Sequence, residues 1–398
     1  MALSPLPLGY CTNVHPGRNV AEVLRGLDTF TRPVAERFGE PMAAGLWLAQ
    51  PVIAELLSHP AGTARFRDQL AERNLTCHTL NAFPYGDFHS ERVKEDVYIP
   101  DWSDPRRLDY TRDCATVLAT LLPDGSEGSM STVPLGFKQF AHPPEFNDLA
   151  AGNLIQLAGF LSRLLEETGK CLRLAIEPEP LCLLETTDEA LDFFAFLHDR
   201  ADSAGAPEAV REHVGVCYDV CHQAVEFEDV AGSIQRFAQA GVRINKVHIT
   251  CALKVADPAS RPEVREALAR YVEPRYLHQT IARHADGTLV RAVDLTRELA
   301  LSPPPEFAAA DEWRVHFHVP VDAEQLGPLG TTRTELKQAL QAVAALDCAP
   351  HLEVETYTWE VLPDGKKTDL VDGLTAEMTA TAALLGDVDE TERLVTKE

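Results

Sequence analysis

The sequence predicts an α/β protein built as one (β/α)8 TIM barrel, on three observations. Short apolar runs of strand character alternate with longer stretches of helical period, the pattern of a parallel sheet with helical crossovers. The first run is not followed by a G-x-G-x-x-G turn, which a dinucleotide-binding open sheet would carry. Polar residues close four of the later runs, at the strand ends where such barrels keep their functional groups.

Strand character falls at 8–14, 43–49, 75–83, 129–135, 171–178, 214–220, 242–250, 313–320 and 351–359. Between them, 153–168, 188–201, 234–240 and 335–346 place apolar residues at three- and four-residue intervals and so read as amphipathic helices. Alternation alone would also suit a doubly wound open sheet; the missing glycine-rich turn favours closure. A barrel needs eight strands, and nine candidates leave one surplus. The stretch 251–312 holds six prolines and only a patchy helical pattern, so it reads as a long excursion between the seventh and eighth strands. Run 313–320 is assigned to it, making 251–320 a segment folded over the barrel mouth and 351–359 the eighth strand. The connections 84–107 and 136–147 also follow strand ends and belong on that face. The expected organisation is a single domain over 1–370 and a final helix with an acidic tail over 371–398.

Composition narrows the function classes. With 398 residues, 45% of them hydrophobic, the chain can bury a large core without disulfides. Its 36 Lys plus Arg against 61 Asp plus Glu give a net charge of −25, which repels phosphate backbones and makes nucleic acid a disfavoured partner. Nine scattered cysteines read as reduced thiols in a cytoplasm, and the Cys217/Cys221 spacing has no matching second pair to make a zinc clip. The start, MALSPLPLGY, lacks a basic segment followed by an apolar run, and no stretch reaches the ~18 apolar residues of a membrane helix. A cytoplasmic protein without a transmembrane segment is expected.

Glu177 closes LRLAIE, Asp219 closes VGVCYD, His248 closes INKVH and Glu355 closes HLEVE. Alone, each is an ordinary cap or ion-pair partner; in succession on the last strands they converge on one mouth. Three carboxylates and an imidazole brought together repel unless a cation joins them, so a divalent metal is expected, with Glu177, Asp219, His248 and Glu355 as ligands. Oxygen with imidazole donors suits Mn²⁺, Zn²⁺, Mg²⁺ or Co²⁺. His222, three residues past Asp219, starts the next loop and is a candidate substrate or supporting contact. His316 and His318 share one face of an extended run, which makes His318 a candidate substrate contact or extra ligand. Lys254, six residues past His248, is a candidate cation for the substrate, with a solvated lysine as the plainer alternative.

The string Glu177, Asp219 with His222, His248 and Glu355 resembles the xylose-isomerase-like superfamily, which includes ketose 3-epimerases, inosose dehydratases and barrel-type apurinic endonucleases. A closer likeness runs through YCTNVHPG (10–17), NAFPYGDFHSERVKEDVYIPDW (81–102), EGSMSTVPLGFK (127–138), AIEPEPLCLLETT (175–187), CYDVCHQAVEFED (217–229) and HLEVETYTW (351–359), which resemble the EboE family of metabolite-traffic proteins. That resemblance implies a sugar- or cyclitol-type substrate and partners among other ebo-cluster proteins at the membrane. The epimerase branch implies that Glu177 and Glu355 also move protons on opposite faces of the substrate. Two positions depart from the epimerase pattern: Leu183 stands where a substrate-binding glutamate is expected, and Lys254 where an arginine is expected. The leading expectation is a metal-dependent isomerase or epimerase. Its alternatives are a non-catalytic binder that hands its ligand on, and a metal-dependent phosphoester hydrolase of the endonuclease-like branch.

Overall fold

The computed structural model describes residues 3–363 and 368–395, with side chains to 388. Eight parallel strands close a barrel: β1 (Gly9–Cys11), β2 (Ala43–Trp47), β3 (Thr79–Asn81), β4 (Gly128–Thr132), β5 (Leu172–Ile176), β6 (Val214–Asp219), β7 (Ile244–Ile249) and, after a long insertion, β14 (His351–Val354), which pairs with both β7 and β1. The expected barrel and its excursion between the seventh and eighth strands are therefore present. The expected strands are longer than the observed ones. Residues 12–14 turn into a 3-10 helix at the mouth, and β3 keeps only three residues, losing 75–78 at the opposite end of the barrel and 82–83 at the mouth.

The insertion builds its own layer. Strands β8 (Cys251–Ala256), β9 (Thr280–Arg283), β10 (Leu289–Ala292), β11 (Glu312–Val319), β12 (Gln325–Leu326) and β13 (Leu329–Thr331) form a six-stranded sheet in the order β10-β9-β11-β8-β13-β12. The surplus run 313–320 is β11, antiparallel to both β8 and β9. Two features escaped the sequence reading. The excursion starts at once as strand β8, and a β9–β10 hairpin lies within it; both were hidden because their runs are short and interrupted by charge.

Helices Phe146–Thr168, Thr187–Ser203, Val230–Gln239 and Arg333–Ala344 stand where the helical periods fell, each beginning a few residues earlier than expected. Thr186 and Glu189 form a reciprocal cap at the start of the second, satisfying two otherwise unpaired amides. The last helix, Leu370–Val395, starts at the expected place, and residues 396–398 of the expected acidic tail lie outside the described ones. Among the described residues no helix is long and apolar enough to cross a membrane.

The connection after β3 is anchored from inside. Arg107 is fully buried and its Nε and Nη1 donate to the carbonyls of Pro100, Ala82 and Phe83, so backbone oxygens meet part of the guanidinium's demand, while its Nη2 has no hydrogen-bond partner among the described residues. This holds Phe88 and Val97 over the mouth of the barrel, where they line its cavity.

Candidate metal centre at the barrel mouth

Side chains alternate along a strand, so residues two apart on β7 and β14 point into the barrel, and their last inward positions meet at the mouth. Ligand atoms of Glu177, Asp219, His248 and Glu355 all lie within 4.8 Å of one another, and all four residues are buried. His248 Nδ1 is central, 3.1 Å from Glu177 Oε1, 3.0 Å from Glu355 Oε2 and 3.5 Å from Asp219 Oδ2.

Two of the carboxylates, Asp219 and Glu355, are aimed by donors on one of their oxygens. Asp219 caps the short helix Val220–Val225, so its Oδ1 accepts from His222 N at 3.1 Å and from Thr250 Oγ1 at 2.7 Å. Glu355 Oε1 accepts from Asn13 Nδ2 at 2.9 Å and Asn81 Nδ2 at 2.7 Å. Asp219 Oδ2 and Glu177 Oε2 are left buried without a hydrogen-bond partner. Buried oxygens so abandoned are costly, and a cation between them removes the cost, so the donor set fits a divalent metal.

The charges tell the same story. Burial pushes Glu177 up to about 7, with repulsion from Glu355 and Asp219 adding to it and His248 opposing. Asp219 moves the other way: burial resists its charge, but His222, His318 and His248 hold it well below the usual carboxylate range. Burial would lower His248, yet Cys217, Glu177 and Glu355 raise it well above an ordinary imidazole. Close carboxylates in a dry site are thus forced into unequal protonation.

A second donor set adjoins the first. His222, His316 and His318 line the same cavity, His318 Nε2 lies 3.9 Å from Asp219 Oδ2, and Glu179 completes a group with His222 and His316. Each imidazole has its Nδ1 beside an oxygen that can only accept: Pro178 O for His222 at 3.0 Å, Gln279 Oε1 for His316 at 2.6 Å, and Glu355 O for His318. The Gln279 amide is itself oriented, since its Nε2 donates to Pro180 O. All three Nε2 atoms therefore carry lone pairs turned toward the mouth, the arrangement that partner oxygens impose on metal-binding histidines.

The candidate residues fall into two groups. Glu177, Asp219, His248, Glu355, His222 and His318 are brought together. Lys254 is not: it sits on β8 beyond the mouth, a third exposed, with Nζ 3.3 Å from Glu312. The chain leaves the barrel at Thr250, and the four extended residues Cys251 to Lys254 carry the lysine away from the converging groups. Sequence reading missed Asn13, Asn81, Glu179 and Thr250. Asn81 ends β3 and Asn13 follows β1, but the apolar residues after them, Ala82 and Phe83 in one case and Val14 in the other, hide both strand ends in the sequence.

The cavity itself is small, about 50 Å³, and its wall also includes Phe83, Pro84, Phe88, Val97 and Tyr357. A larger groove of about 440 Å³ runs along the flank past Tyr271, Trp359 and Gly373, away from the converging groups. Among the described residues no Lys or Arg lines the mouth cavity.

No family model matches the sequence, and no curated protein matches it. Solved structures do. A xylose isomerase-like TIM barrel protein from Mycobacterium smegmatis in complex with magnesium is similar with a TM-score of 0.53 and 12% identity, over 98% of each chain. An IolI protein with a binding zinc atom is similar with a TM-score of 0.51 and 12% identity, over 96% of this chain and 99% of that one. On the closed parallel barrel and these two similarities, the chain has the fold of the xylose-isomerase-like TIM barrels.

Proposed function

We propose that this chain is a metal-dependent isomerase or epimerase acting on a sugar- or cyclitol-type metabolite. The observation that carries the reading is the buried group of Glu177, Asp219, His248 and Glu355, whose ligand atoms all lie within 4.8 Å. The magnesium and zinc of the two similar structures support a divalent ion here. When bound, such an ion supplies Lewis-acid stabilisation of charge developing on substrate oxygens. Glu177 and Glu355 stand on strands separated by β6 and β7, so they approach a substrate from two sides, one to remove a carbon-bound proton and one to return it. Asn13 and Asn81 hold Glu355 by one oxygen and leave the other for that work. The absence of Lys and Arg from the cavity wall suits an uncharged polyol. Ligand pockets commonly measure about 300–1,000 Å³, so a ring enters this one only as Phe88, Val97 or Tyr357 moves aside. The likeness to EboE proteins supports a place in metabolite traffic, with other ebo-cluster proteins as partners, and nine cysteines without a disulfide support the cytoplasm as its compartment.

The test is proton exchange. Incubation of the metal-loaded protein with candidate ketoses and cyclitol ketones in D₂O is expected to place deuterium beside the carbonyl. Glu177→Gln and Glu355→Gln are each expected to lower that exchange by ~100-fold or more, with metal content checked in the same samples. A ketone that binds tightly to the metal-loaded protein yet never exchanges makes the chain a binder that hands its ligand on.

A second reading, a metal-assisted phosphoester hydrolase, is favoured by the three histidines beside the first donor set, because paired ions are a common hydrolytic device. The cation-free cavity wall counts against it. Metal-dependent turnover of a generic phosphodiester, without carbon-proton exchange on any ketone, would put this reading first.

A further inference from the structure

Beneath the four converging groups the barrel holds a second polar layer. One inward position deeper on β7 and β14 stand Lys246 and Glu353. Lys246 Nζ lies 2.6 Å from Glu353 Oε2, and neither side chain has any exposed surface. Lys246 also approaches Ser131 Oγ at 3.3 Å. Glu353 Oε2 lies at an ion-pair distance of 3.2 Å from His248 Nε2, the ring nitrogen opposite the one that faces Glu177 and Glu355, and neither buried atom has an aligned hydrogen-bond partner elsewhere among the described residues. The neighbouring barrel wall is shaped to this carboxylate: a Cβ on Gly45 of β2 would fall 1.5 Å from Glu353 Oε1. The glycine is required there for space rather than for an unusual backbone angle.

An ion pair is a poor means of stabilising a barrel centre. Layers of branched apolar residues fill most such barrels, and apolar side chains of similar volume often replace buried pairs without loss. What an apolar layer does not offer is a partner for the far nitrogen of a metal-binding imidazole. The Glu353 carboxylate can only accept, and Lys246 cancels its charge, so the layer presents His248 with an acceptor and adds no net negative charge below the mouth.

We propose that Glu353, neutralised by Lys246 and given room by Gly45, is a positioning residue that keeps the His248 proton on Nε2, so that Nδ1 offers its lone pair to a cation among Glu177, Asp219 and Glu355. The inference rests on the metal reading above. It predicts that the pair is dispensable for folding and needed for metal binding.

The experiment compares wild type, Glu353→Met and the paired apolar variant Lys246→Met/Glu353→Leu. Thermal melting is measured after chelation, Mn²⁺ and Co²⁺ affinity by calorimetry, and Co²⁺ coordination by visible absorption. The paired variant is expected to melt close to wild type while its metal affinity falls about 10- to 100-fold and its Co²⁺ bands shift. A paired variant that binds as tightly as wild type, with the same bands, overturns the inference and leaves the metal reading intact. If wild type itself binds neither ion, the metal reading fails and this inference with it. Should the paired variant not fold, Glu353→Met decides by the same two metal readouts, since it keeps about the same side-chain volume and removes the oxygen acceptor.

Discussion

His222 Nε2 and His316 Nε2 face each other at 3.1 Å although the Nδ1 of each is turned to an oxygen that can only accept. Two lone pairs at that distance repel unless something lies between them. A proton could serve only if one ring were an imidazolium, but burial lowers His222 to about 4 and lowers His316 well below an ordinary imidazole. A cation is the remaining means of joining them, so the mouth is expected to hold a second ion beside the first. Elemental analysis of wild type should give close to two equivalents of divalent metal per chain, and His316→Ala close to one. Equal metal content in both would remove the second position.

Asp219 ties the two positions together. Its free Oδ2 lies 3.5 Å from His248 Nδ1, 4.0 Å from His222 Nε2 and 3.9 Å from His318 Nε2. Asp219→Ala should therefore empty both positions, whereas Glu355→Ala should empty the first and spare the second. Folding is checked alongside by circular dichroism, because Asp219 also caps a helix, and loss of a cap costs about 1 kcal/mol. An Asp219→Ala protein that is folded and keeps either ion contradicts this geometry.

Much of the barrel was legible in the sequence because its signals are local. Strands β5, β6 and β7 and the helices between them carry complete apolar periods, and each ends on the polar residue that marks the mouth. Glu177, Asp219, His248 and Glu355 could thus be read in order. The insertion was legible only as an interruption. Whether β11 belonged to the barrel had to be settled by counting strands, and the place of His316 beside His222 depends on β11 pairing with β8 and β9 in a sheet whose other strands lacked a clear period. The place of Lys254 was illegible for the same reason: its spacing from His248 says nothing of a chain that changes sheets at Thr250. Glu353 and Lys246 were readable as alternating inward positions, but a charged pair at a barrel centre runs against the apolar pattern that usually identifies a core.

Duplex and single-stranded DNA are expected not to bind at physiological salt. The chain carries a net charge of −25, and among the described residues no Lys or Arg lines the mouth cavity to receive a phosphate. Fluorescence anisotropy with labelled oligonucleotides is the measurement. Micromolar affinity that weakens steeply with salt would bring the endonuclease-like reading forward.

Glu377 should give the fold a pH dependence that one substitution removes. It lies on the final helix and is fully buried, accepting from Val321 N at 3.1 Å, Thr356 Oγ1 at 2.6 Å and Trp359 Nε1 at 2.8 Å. It therefore joins that helix to the end of β11 and to the segment just after Glu355. Burial raises its carboxyl from 4.5 to about 7, against the pull of those three donors. The folded protein consequently holds a proton here between about pH 4.5 and 7 that the unfolded chain has released. Its contribution to stability is fullest below pH 4.5 and is lost as the pH rises through 7, a change on the order of 3 kcal/mol. Glu177 titrates in the same window, but it is present in both proteins, so its effect cancels when wild type and Glu377→Gln are compared after chelation. Urea denaturation at pH 5 and pH 8 should show wild type losing stability relative to the variant as the pH rises. A difference between the two that stays constant with pH would mean that Glu377 is already ionised at pH 5, held so by its three donors despite its burial.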